Sequence, residues 1–417
     1  MLAVIMAGGK GTRIQCINKE VPKPMIRILG KPILEYQIDC LKKNGITKVI
    51  FVIGYMGEQI WNYFRDGAQF GISISYIREK ETLGTAGALF FLKDAIKEDF
   101  LLCNGDLIFD IDINRFYRFH KKKGGIATLF THPNSHPYDS AVIVKDNEGK
   151  IAHWYHKEEP RENVSNCVNA GLHFLSPDIL NYIAEKGKKD LDRDLLRPLL
   201  QKEHIYAYSS PEYVKDMGTP DRLLQVEQDI LNGTVNKKNL QKKQKAIFLD
   251  RDGTLNVYKG FLREAGEIEL EDGVADALRL INRSEYLAIV VTNQPVIARG
   301  DCTIDQLYGI HNRLESVLGQ QGAYLDDIFF CPHHPDRGFD GERVEYKIEC
   351  DCRKPRTGML IRAAEKYNID LNQSYMIGDA LSDVETGKNA GCRGSFLIEK
   401  PERRLLFWVK YILGQEG

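Results

Sequence analysis

Short, continuous apolar runs that end in polar or glycine-rich turns recur along the chain. Residues 2–6 run directly into Gly8 and Gly9, and residues 246–249 run directly into Asp250. Runs of this length are typical of strands that are buried on both faces of a parallel sheet. Further runs lie at 48–53, 100–103, 287–291 and 374–377, and a segment of helical spacing lies at 32–44. The pattern predicts two α/β domains in which strands alternate with helices.

A lysine-rich stretch separates the two sets of runs. Residues 231–245 contain five lysines and no long apolar run, which is typical of a linker. We therefore predict a first domain at 1–231, a linker at 232–244 and a second domain at 245–417.

Composition and charge narrow the class of protein. The 57 Lys and Arg residues balance 58 Asp and Glu residues, for a net charge of −1, which argues against a dedicated nucleic-acid binder. No apolar stretch approaches the roughly 20 residues of a membrane span. Residues 1–7 lack the basic leader of a signal peptide and are interpreted as a buried strand. We expect a cytoplasmic enzyme with small-molecule substrates and no nucleic-acid or membrane partner, with a homo-oligomer left open.

The first candidate site begins at the end of the first strand. Gly8, Gly9 and Gly11 would let backbone N–H groups surround a polyphosphate, and Thr12 and Arg13 follow them directly. The Arg13 guanidinium has a fork geometry that suits phosphate oxygens. A bare turn is the alternative for a glycine-rich loop taken alone.

Three further side chains are expected to act on the same anion. Lys23 lies between two prolines that stiffen the backbone around it. Asp106 follows a strand, and Asp216 precedes Met217 and Gly218. Two converging carboxylates would hold Mg²⁺, which prefers oxygen ligands and phosphates. Each aspartate taken alone is better explained as a helix cap or a turn residue, so the prediction depends on the combination.

The ordered set of these motifs resembles the sugar-1-phosphate nucleotidylyltransferases over about residues 1–230. The matching segments are Gly-Gly-x-Gly-Thr-Arg at 8–13, Pro-Lys-Pro-Met at 22–25, Leu-Gly-Thr-Ala-Gly at 83–87, Asn-Gly-Asp at 104–106, Asn-Ala-Gly at 169–171 and Asp-x-Gly-Thr-Pro at 216–220. The resemblance implies a Rossmann-like mixed sheet and attack by a sugar 1-phosphate on the α-phosphorus of a nucleoside triphosphate.

The resemblance also implies residue roles. The nucleotide would be bound by Gly8, Gly9, Gly11, Thr12, Arg13, Leu83, Gly84, Thr85, Gly87 and Asp106. Arg13 and Lys23 would be catalytic, Asp106 and Asp216 would bind Mg²⁺, and Glu158, Asn169 and Gly171 would contact the sugar. One departure concerns Glu158-Glu159-Pro160, where the family usually has Glu-Lys-Pro. Lys157 would then take over the sugar phosphate, or the phosphate is held differently.

The second candidate site begins at Asp250-Arg251-Asp252. One carboxylate can attack phosphorus and form an aspartyl-phosphate, and the other can protonate the leaving oxygen. Thr292 and Asn293 can donate to the phosphoryl group, and Lys354 can neutralise it. Asp379 follows a later predicted strand, and it could join Asp250 and Asp252 in an Mg²⁺ site.

Cysteine spacing predicts a metal centre within the second domain. The nine cysteines are unevenly distributed, and Cys331, His333, Cys350 and Cys352 supply the four ligands of a closed tetrahedral zinc site. We interpret this zinc as structural, with His334 as a spare histidine and free buried cysteines as the alternative. Arg353 and Lys354, which we predict to be catalytic, follow at once, so the metal would fix the catalytic lysine.

The second half resembles the haloacid dehalogenase-like phosphatases over residues 245 to about 400. Phe-Leu-Asp-Arg-Asp-Gly-Thr-Leu-Asn at 248–256 carries this resemblance, which implies a Rossmannoid sheet. Cys-Pro-His-His-Pro at 331–335, followed by Cys-Asp-Cys-Arg-Lys-Pro at 350–355, resembles the heptose-1,7-bisphosphate 7-phosphatases. Pro295 and Ala380 depart from the usual pattern near the substrate.

The two resemblances together imply an enzyme with two activities. Removal of the 7-phosphate from D-glycero-D-manno-heptose 1,7-bisphosphate would give the 1-phosphate that the first domain needs, with GTP and the α anomer as the expected pair. The alternatives are another phosphosugar with UTP, CTP or ATP, or a nucleotide-sugar sensor fused to a phosphatase.

Overall fold

The computed structural model describes residues 1–9, 20–338, 340–399 and 403–415. These residues cluster into two compact units. The first comprises residues 1–132, 143–154 and 169–239, and the second comprises residues 133–142, 155–168 and 240–417. Each is described by itself below.

The larger sheet has nine strands, in the order β10-β9-β11-β6-β1-β4-β5, with β8 beside β11 and β12 beside β8. The strands of the first half of the chain are β1 Leu2–Ala7, β2 Arg27–Ile28, β3 Lys31–Pro32, β4 Lys48–Ile53, β5 Ser73–Arg78, β6 Phe100–Asn104, β7 Leu107–Asp110, β8 Ala127–His132, β9 Val142–Lys145, β10 Ile151–Tyr155, β11 Val168–Leu175, β12 Ile205–Ser209 and β13 Tyr213–Asp216. Strand β1 is parallel to β4 and β6, whereas β11 runs antiparallel to β6, so the sheet is mixed.

Helices separate these strands and are bounded by local signals. They are α1 Ile33–Lys43, α2 Gly57–Phe64, α3 Gly84–Gly87, α4 Ile113–Lys123, α5 Arg197–Leu199, α6 Pro220–Leu231 and α7 Thr234–Lys237. Helix α4, for example, begins where the Asp112 side chain accepts a hydrogen bond from the Arg115 N–H, and it ends at Gly124 with φ 64°. One buried face of α4 contributes Phe116, whose ring lies 4.7 Å from that of Phe174.

The second sheet is parallel throughout, in the order β16-β15-β14-β17-β18. Its strands are β14 Lys245–Leu249, β15 Tyr286–Asn293, β16 Asp327–Cys331, β17 Tyr375–Gly378 and β18 Gly394–Leu397. The helices are α8 Val274–Asn282, α9 Val296–Arg299, α10 Ile304–Gln320, α11 Gly358–Tyr367, α12 Leu381–Asn389 and α13 Leu405–Ile412. Strands β14, β15 and β17 are almost completely buried, which explains their continuous apolar sequences.

The predicted α/β fold class is confirmed, and the predicted runs lie on observed strands to within about two residues. The predicted linker contains the short helix α7. Its Asn239 is buried, and the Asn239 side chain donates a hydrogen bond to Asp110 Oδ1 at 2.6 Å. Among the described residues, no helix is long and apolar enough to cross a membrane.

Candidate active sites and metal centre

The first site is a pocket of about 430 Å³ at the carboxyl ends of β1 and β6. Its described lining residues include these predicted site residues: Gly8, Gly9, Lys23, Gly84, Thr85, Asp106 and Asp216. The predicted Gly11, Thr12 and Arg13 lie outside the described residues. Parallel strand ends converge at one edge of a sheet, so residues that are far apart in sequence share one cavity.

Lys23 and Asp106 form an ion pair in this pocket. Lys23 opens a short 3₁₀ helix that ends at Met25, and the buried Pro24 and Met25 anchor it. A cation held against a carboxylate in this way can pass from the carboxylate to a phosphate oxygen. The pair therefore places the predicted phosphate-binding lysine and one predicted magnesium ligand side by side.

Asp216 lies in the same pocket because of strand register. Antiparallel pairing of β7 with β13 places Asp216 opposite Leu107, the residue after Asp106, and the Met217 N–H donates to the Asp106 carbonyl at 2.9 Å. Arg222, from the first turn of α6, contacts both Asp216 carboxylate oxygens, at 2.5 and 2.6 Å. Two carboxylates facing one cavity fit a hard cation such as Mg²⁺. Sequence reasoning did not identify Arg222.

The turn at Leu83–Gly87 packs against a second segment at 187–191. A Cβ on Gly84, which has φ +72°, would lie 2.4 Å from the Lys189 carbonyl oxygen, so this backbone approach requires glycine. The Leu191 N–H donates to Thr85 Oγ1 at 2.7 Å. The predicted base-lining turn is therefore rigidly held at the pocket wall.

Glu79 is a pocket residue that sequence reasoning missed. It follows β5, accepts a hydrogen bond from the Leu83 N–H at 3.1 Å, and burial raises its pKa. A Cβ on Gly8 would lie 2.3 Å from Glu79 Oε2, so the carboxylate lies directly against Gly8. The sequence signal for Glu79 as a pocket residue was its position, four residues before the Leu83 turn.

The predicted sugar contacts Asn169 and Gly171 lie on β11, next to β6. Gly171 lies against the side chain of Asn104, which lines the pocket. Asn169 Nδ2 donates to Asp192 Oδ2 at 3.0 Å, and burial, reinforced by Asp190, raises the pKa of Asp192 to about 7. Asp192 was not predicted.

Glu158 belongs to the second compact unit and is exposed, as is Lys157. The neighbouring Glu159 caps the turn by accepting a hydrogen bond from the His156 N–H at 2.7 Å. The predicted sugar-binding role of Glu158 therefore stays a prediction.

The second site is a carboxylate cluster beyond β14 and β17. Asp250, Asp379 and Asp383 bring ligand oxygens within 4.8 Å of one another. A Cβ on Gly253, with φ +74°, would lie 2.0 Å from Asp379 Oδ2, so glycine is required for this approach. The donor set is all oxygen and fits Mg²⁺. Asp383 was not predicted, although it follows Asp379 by only four residues.

Lys354 lies between two of these carboxylates. Its Nζ is 2.8 Å from Asp250 Oδ1 and 2.6 Å from Asp383 Oδ1, and its side chain is 2% exposed. Burial alone would lower the pKa of Lys354, but Asp250 and Asp383 outweigh burial and raise it. Burial raises the pKa of Asp250 to about 6 even though Lys354 opposes that shift. The predicted neutralising lysine thus touches the predicted nucleophile.

The Asp252 carboxylate points to a different set of partners. Arg251, which is fully buried, donates to both Asp252 oxygens at 2.8–3.1 Å, and Gln294 Nε2 donates to Asp252 Oδ2 at 2.8 Å. Arg251 Nη1 lies 3.3 Å from His311 Nε2, and burial keeps the pKa of His311 well below its usual value. These contacts fix the orientation of Asp252. Its predicted role as a magnesium ligand stays a prediction.

The predicted residues Thr292 and Asn293 lie at the end of β15, at the same edge of the second sheet. Gln294 Nε2 donates to Thr292 Oγ1 at 2.9 Å. Asn293 and Lys354 exchange two hydrogen bonds, from Lys354 N to Asn293 Oδ1 at 3.0 Å and from Asn293 Nδ2 to the Lys354 carbonyl at 3.2 Å. This reciprocal pair ties the end of β15 to the segment that carries the lysine.

The four predicted zinc ligands form one cluster. The sulfurs of Cys331, Cys350 and Cys352 are 3.2–3.5 Å apart, and His333 Nδ1 lies 3.7 Å from Cys331 Sγ and 3.4 Å from Cys352 Sγ. Tetrahedral zinc separates such ligands by about 3.5–3.8 Å, a few tenths of an ångström more than the sulfur separations here. The donor set therefore fits the metal, with a small outward shift of the sulfurs.

The cluster is connected to the phosphatase residues by the chain itself. Arg353, the residue after Cys352, donates to the His333 carbonyl at 3.1 Å, and Lys354 follows it. The spare His334 accepts a hydrogen bond from the Asp336 N–H at 3.2 Å and does not belong to the cluster.

Comparisons with known proteins match the two halves of the chain separately. A family model described as "Nucleotidyl transferase" matches residues 2–233, and one described as HAD-hydrolase-like matches residues 351–398. A D-glycero-beta-D-manno-heptose-1,7-bisphosphate 7-phosphatase from Haemophilus influenzae is 42% identical over 154 residues, which are 37% of this chain and 81% of the relative.

Two nucleotidyltransferases are also similar. A UTP–glucose-1-phosphate uridylyltransferase from Synechocystis is 33% identical over 214 residues, 48% of this chain and 55% of the relative. A mannose-1-phosphate guanyltransferase beta-A from Xenopus laevis is 33% identical over 229 residues, 54% of this chain and 63% of the relative. The chain thus spans less than two thirds of these two transferases, and they use different bases by name.

Proposed function

Because the chain belongs to the nucleotidyl transferase family over residues 2–233, and its C-terminal part belongs to the family of heptose bisphosphate 7-phosphatases, we propose that it is a bifunctional enzyme of nucleotide-activated heptose synthesis. The second half removes the 7-phosphate of D-glycero-D-manno-heptose 1,7-bisphosphate. The first half then transfers GMP from GTP to the resulting heptose 1-phosphate and releases pyrophosphate. The observation that carries the proposal is the presence, in one chain, of both a nucleotide pocket and an aspartate–lysine site.

In the transferase half, a sugar-phosphate oxygen attacks the α-phosphorus, and the bond to pyrophosphate breaks. The protein positions the reactants and stabilises the charge, so it needs no nucleophile of its own. Lys23 neutralises the phosphates from its place beside Asp106. Asp106 and Asp216 would hold Mg²⁺, which neutralises phosphate charge when bound.

In the phosphatase half, Asp250 attacks the phosphorus of the 7-phosphate and becomes an aspartyl-phosphate. Asp252 protonates the departing 7-oxygen and then takes a proton from the water that hydrolyses the intermediate. Lys354 neutralises the transferred group, and Thr292 and Asn293 donate to it. Asp250, Asp379 and Asp383 would hold Mg²⁺, which adds positive charge at the phosphoryl group when bound. Cys331, His333, Cys350 and Cys352 would hold a structural Zn²⁺.

Glu79 supports guanine as the base. A carboxylate accepts hydrogen bonds and cannot donate them when ionised, and guanine offers adjacent N1–H and N2–H donors on one edge. The other common bases do not present two neighbouring donors there. Glu79 lies at the pocket wall beside the Leu83–Gly87 turn, where its carboxylate accepts a hydrogen bond from the Leu83 N–H.

We propose the α anomer of the heptose phosphate, because it is the anomer compatible with guanylyl transfer. The phosphatase relative is named for the β anomer, whereas the resemblance to guanylyltransferases favours the α anomer as the substrate of the first half. The scissile 7-phosphate is remote from C1, so recognition of the anomer can differ between the two halves.

A one-pot assay tests the whole proposal. The α and β bisphosphates are supplied separately with Mg²⁺ and each of four nucleoside triphosphates, and products are identified by mass. We expect GDP-heptose from the α anomer, with one phosphate and one pyrophosphate released per nucleotide sugar. Phosphate release without any nucleotide sugar would refute the transferase assignment, and a nucleotide sugar from another triphosphate would refute the assignment of guanine.

A matched pair of variants then separates the two sites. Asp250→Asn is expected to abolish phosphate release but to leave transfer to a ready-made heptose 1-phosphate unchanged. Asp106→Asn is expected to show the reverse. Loss of both activities in either folded variant would contradict two independent sites.

A further inference from the structure

Two segments of the transferase half pack onto one helix of the phosphatase half, and all three belong to the second compact unit. The segments are 133–142, between β8 and β9, and 155–168, between β10 and β11. The helix is α10. We propose that α10 is a positioning element for the sugar-binding segment of the transferase. This inference rests on the proposed function.

The first segment contacts α10 through a tyrosine and a proline. Tyr138 Oη donates to the Ser316 carbonyl at 2.7 Å. A Cβ on Gly319 would lie only 2.8 Å from Pro137 Cγ, so the proline ring fills the space that this glycine leaves open. The ring thus lies against the glycine backbone with no room for a side chain between them, so the helix surface and the segment are complementary in shape.

The second segment is bound to the same helix turn. Ser316 Oγ donates to the Val164 carbonyl at 3.2 Å, and the Asn166 N–H lies 3.3 Å from Glu315 Oε2. Asn166 is buried, and its side chain also exchanges two hydrogen bonds with the Asn134 backbone, at 2.7 and 3.1 Å. The helix therefore holds both segments, and Asn166 joins them to each other.

The second segment is chemically important because of what it carries. Glu158 lies within it, and it leads directly into β11, which carries Asn169 and Gly171. All three are the predicted sugar contacts. The nucleotide-binding residues, by contrast, come from elements that lie outside these two segments. A shift of α10 should therefore alter binding of the sugar phosphate and leave binding of the nucleotide unchanged.

Two glycines of α10 provide a matched test. Gly319→Ala places a methyl group against Pro137, whereas the Cβ of Gly309→Ala meets nothing within 4 Å. Both changes raise helix propensity to the same extent, so they differ in the contact alone. A second disrupting variant, Tyr138→Phe combined with Ser316→Ala, removes two hydrogen bonds without adding volume.

Steady-state kinetics of the full chain provide the readout, with heptose 1-phosphate and GTP varied separately. Gly319→Ala and the double variant are expected to raise KM for the sugar phosphate by about fivefold or more, the factor that loss of a hydrogen bond usually produces. KM for GTP and the rate of phosphate release should stay within about twofold, as should all three parameters in Gly309→Ala. Faster amide exchange is expected at 155–168 in the disrupting variants.

An unchanged sugar KM in both disrupting variants would overturn the proposal, as would an equal rise in both KM values. If the wild-type chain transfers no nucleotide to any phosphosugar, the proposed function has failed instead, which the control assay shows before any variant is made. Amide exchange still tests the contact in that case, and exchange at 155–168 that Gly319→Ala leaves unaltered would overturn it.

Discussion

Replacing Asp383 by asparagine tests the buried charge cluster at the second site. The substitution keeps the size of the side chain and removes one negative charge. Asp383 is fully buried, and its Oδ1 lies 2.6 Å from Lys354 Nζ. Because Asp250 also contacts Lys354, the lysine keeps one partner in the variant.

The magnitude follows from the distances. At an effective dielectric constant of about 20, charges 2.6 Å apart attract by about 6 kcal/mol. The Asp250 and Asp383 carboxylates lie within 4.8 Å of each other, and their repulsion is about 3 kcal/mol by the same relation. Asp379 lies within the same distance of Asp383, but it is exposed, so water and salt screen its repulsion. The difference predicts a loss of about 3 kcal/mol in the stability of the second sheet, in line with the usual cost of breaking a buried pair.

Lys354 is also expected to move, and phosphate release should fall by at least about 100-fold because a misplaced group loses that much catalysis. Transfer to a ready-made sugar 1-phosphate should persist. Native-state hydrogen exchange at β14 and β17 amides measures the stability of this sheet alone. Asp272→Asn is the control, since it makes the same change in a pair whose aspartate is 91% exposed, where no measurable effect is expected. Wild-type stability and phosphatase activity in Asp383→Asn would refute the reasoning.

Three further predictions concern zinc, pH and base selection. Removal of zinc, or Cys352→Ser, should abolish phosphate release even after Mg²⁺ is restored, while nucleotidyl transfer persists. Full phosphatase activity in protein that metal analysis shows to be zinc-free would refute the structural role of the zinc. The pKa of Asp192 is raised to about 7 in the folded chain, whereas an unfolded aspartate titrates near pH 4. Between about pH 4 and about pH 7, the folded chain therefore keeps a proton that the unfolded chain has lost. Stability should therefore fall as pH rises through that window, and denaturant titrations should show a smaller fall in Asp192→Asn; equal slopes would contradict the assignment. Glu79→Gln should reduce the kcat/KM preference for GTP over the other triphosphates by about tenfold or more, and an unchanged preference would exclude Glu79 as the base-reading group.

The sequence was informative wherever local pattern and chemistry coincide. Apolar runs locate β1, β6 and β14, and the polar residues that follow them lie at the sheet edges as expected. Lys23, Asp106 and Asp216 share one pocket for that reason. The cluster of Cys331, His333, Cys350 and Cys352 was also predictable, because few structural roles require three cysteines and a histidine at such spacing.

The residues that were missed lack a local signature. Asp383 accepts a hydrogen bond from the Ala380 N–H at 3.0 Å in the first turn of α12, where an aspartate is expected as a cap in any case. Arg251 is fully buried, against the strong tendency of arginine to remain exposed, and its pairing with Asp252 compensates for this burial. Asp192 and Arg222 become partners of site residues through folding alone.

The contact of residues 133–142 and 155–168 with α10 lies still further from sequence reasoning. The paired residues are about 150–180 positions apart, and they interact through backbone carbonyls and a glycine surface. Such groups have no distinctive residue type, so no periodicity or motif in the sequence indicates these contacts. This is why a boundary read from composition separates residues that the fold places in one unit.

The two proposed activities are compatible on one chain only if the phosphatase discriminates between two phosphates of the same sugar. Hydrolysis at C1 would destroy the nucleophile of the transferase, whereas hydrolysis at C7 creates its acceptor and leaves that nucleophile intact. The 7-phosphate is attached to a flexible primary carbon and can reach a buried nucleophile, while the 1-phosphate is attached directly to the ring. The side chains of Asp250 and Lys354 are 12% and 2% exposed, and a ring-borne phosphate would have to carry the bulk of the sugar toward them. Burial of the nucleophile therefore favours the terminal phosphate, and the same depth that raises the pKa of Asp250 protects the substrate of the first half.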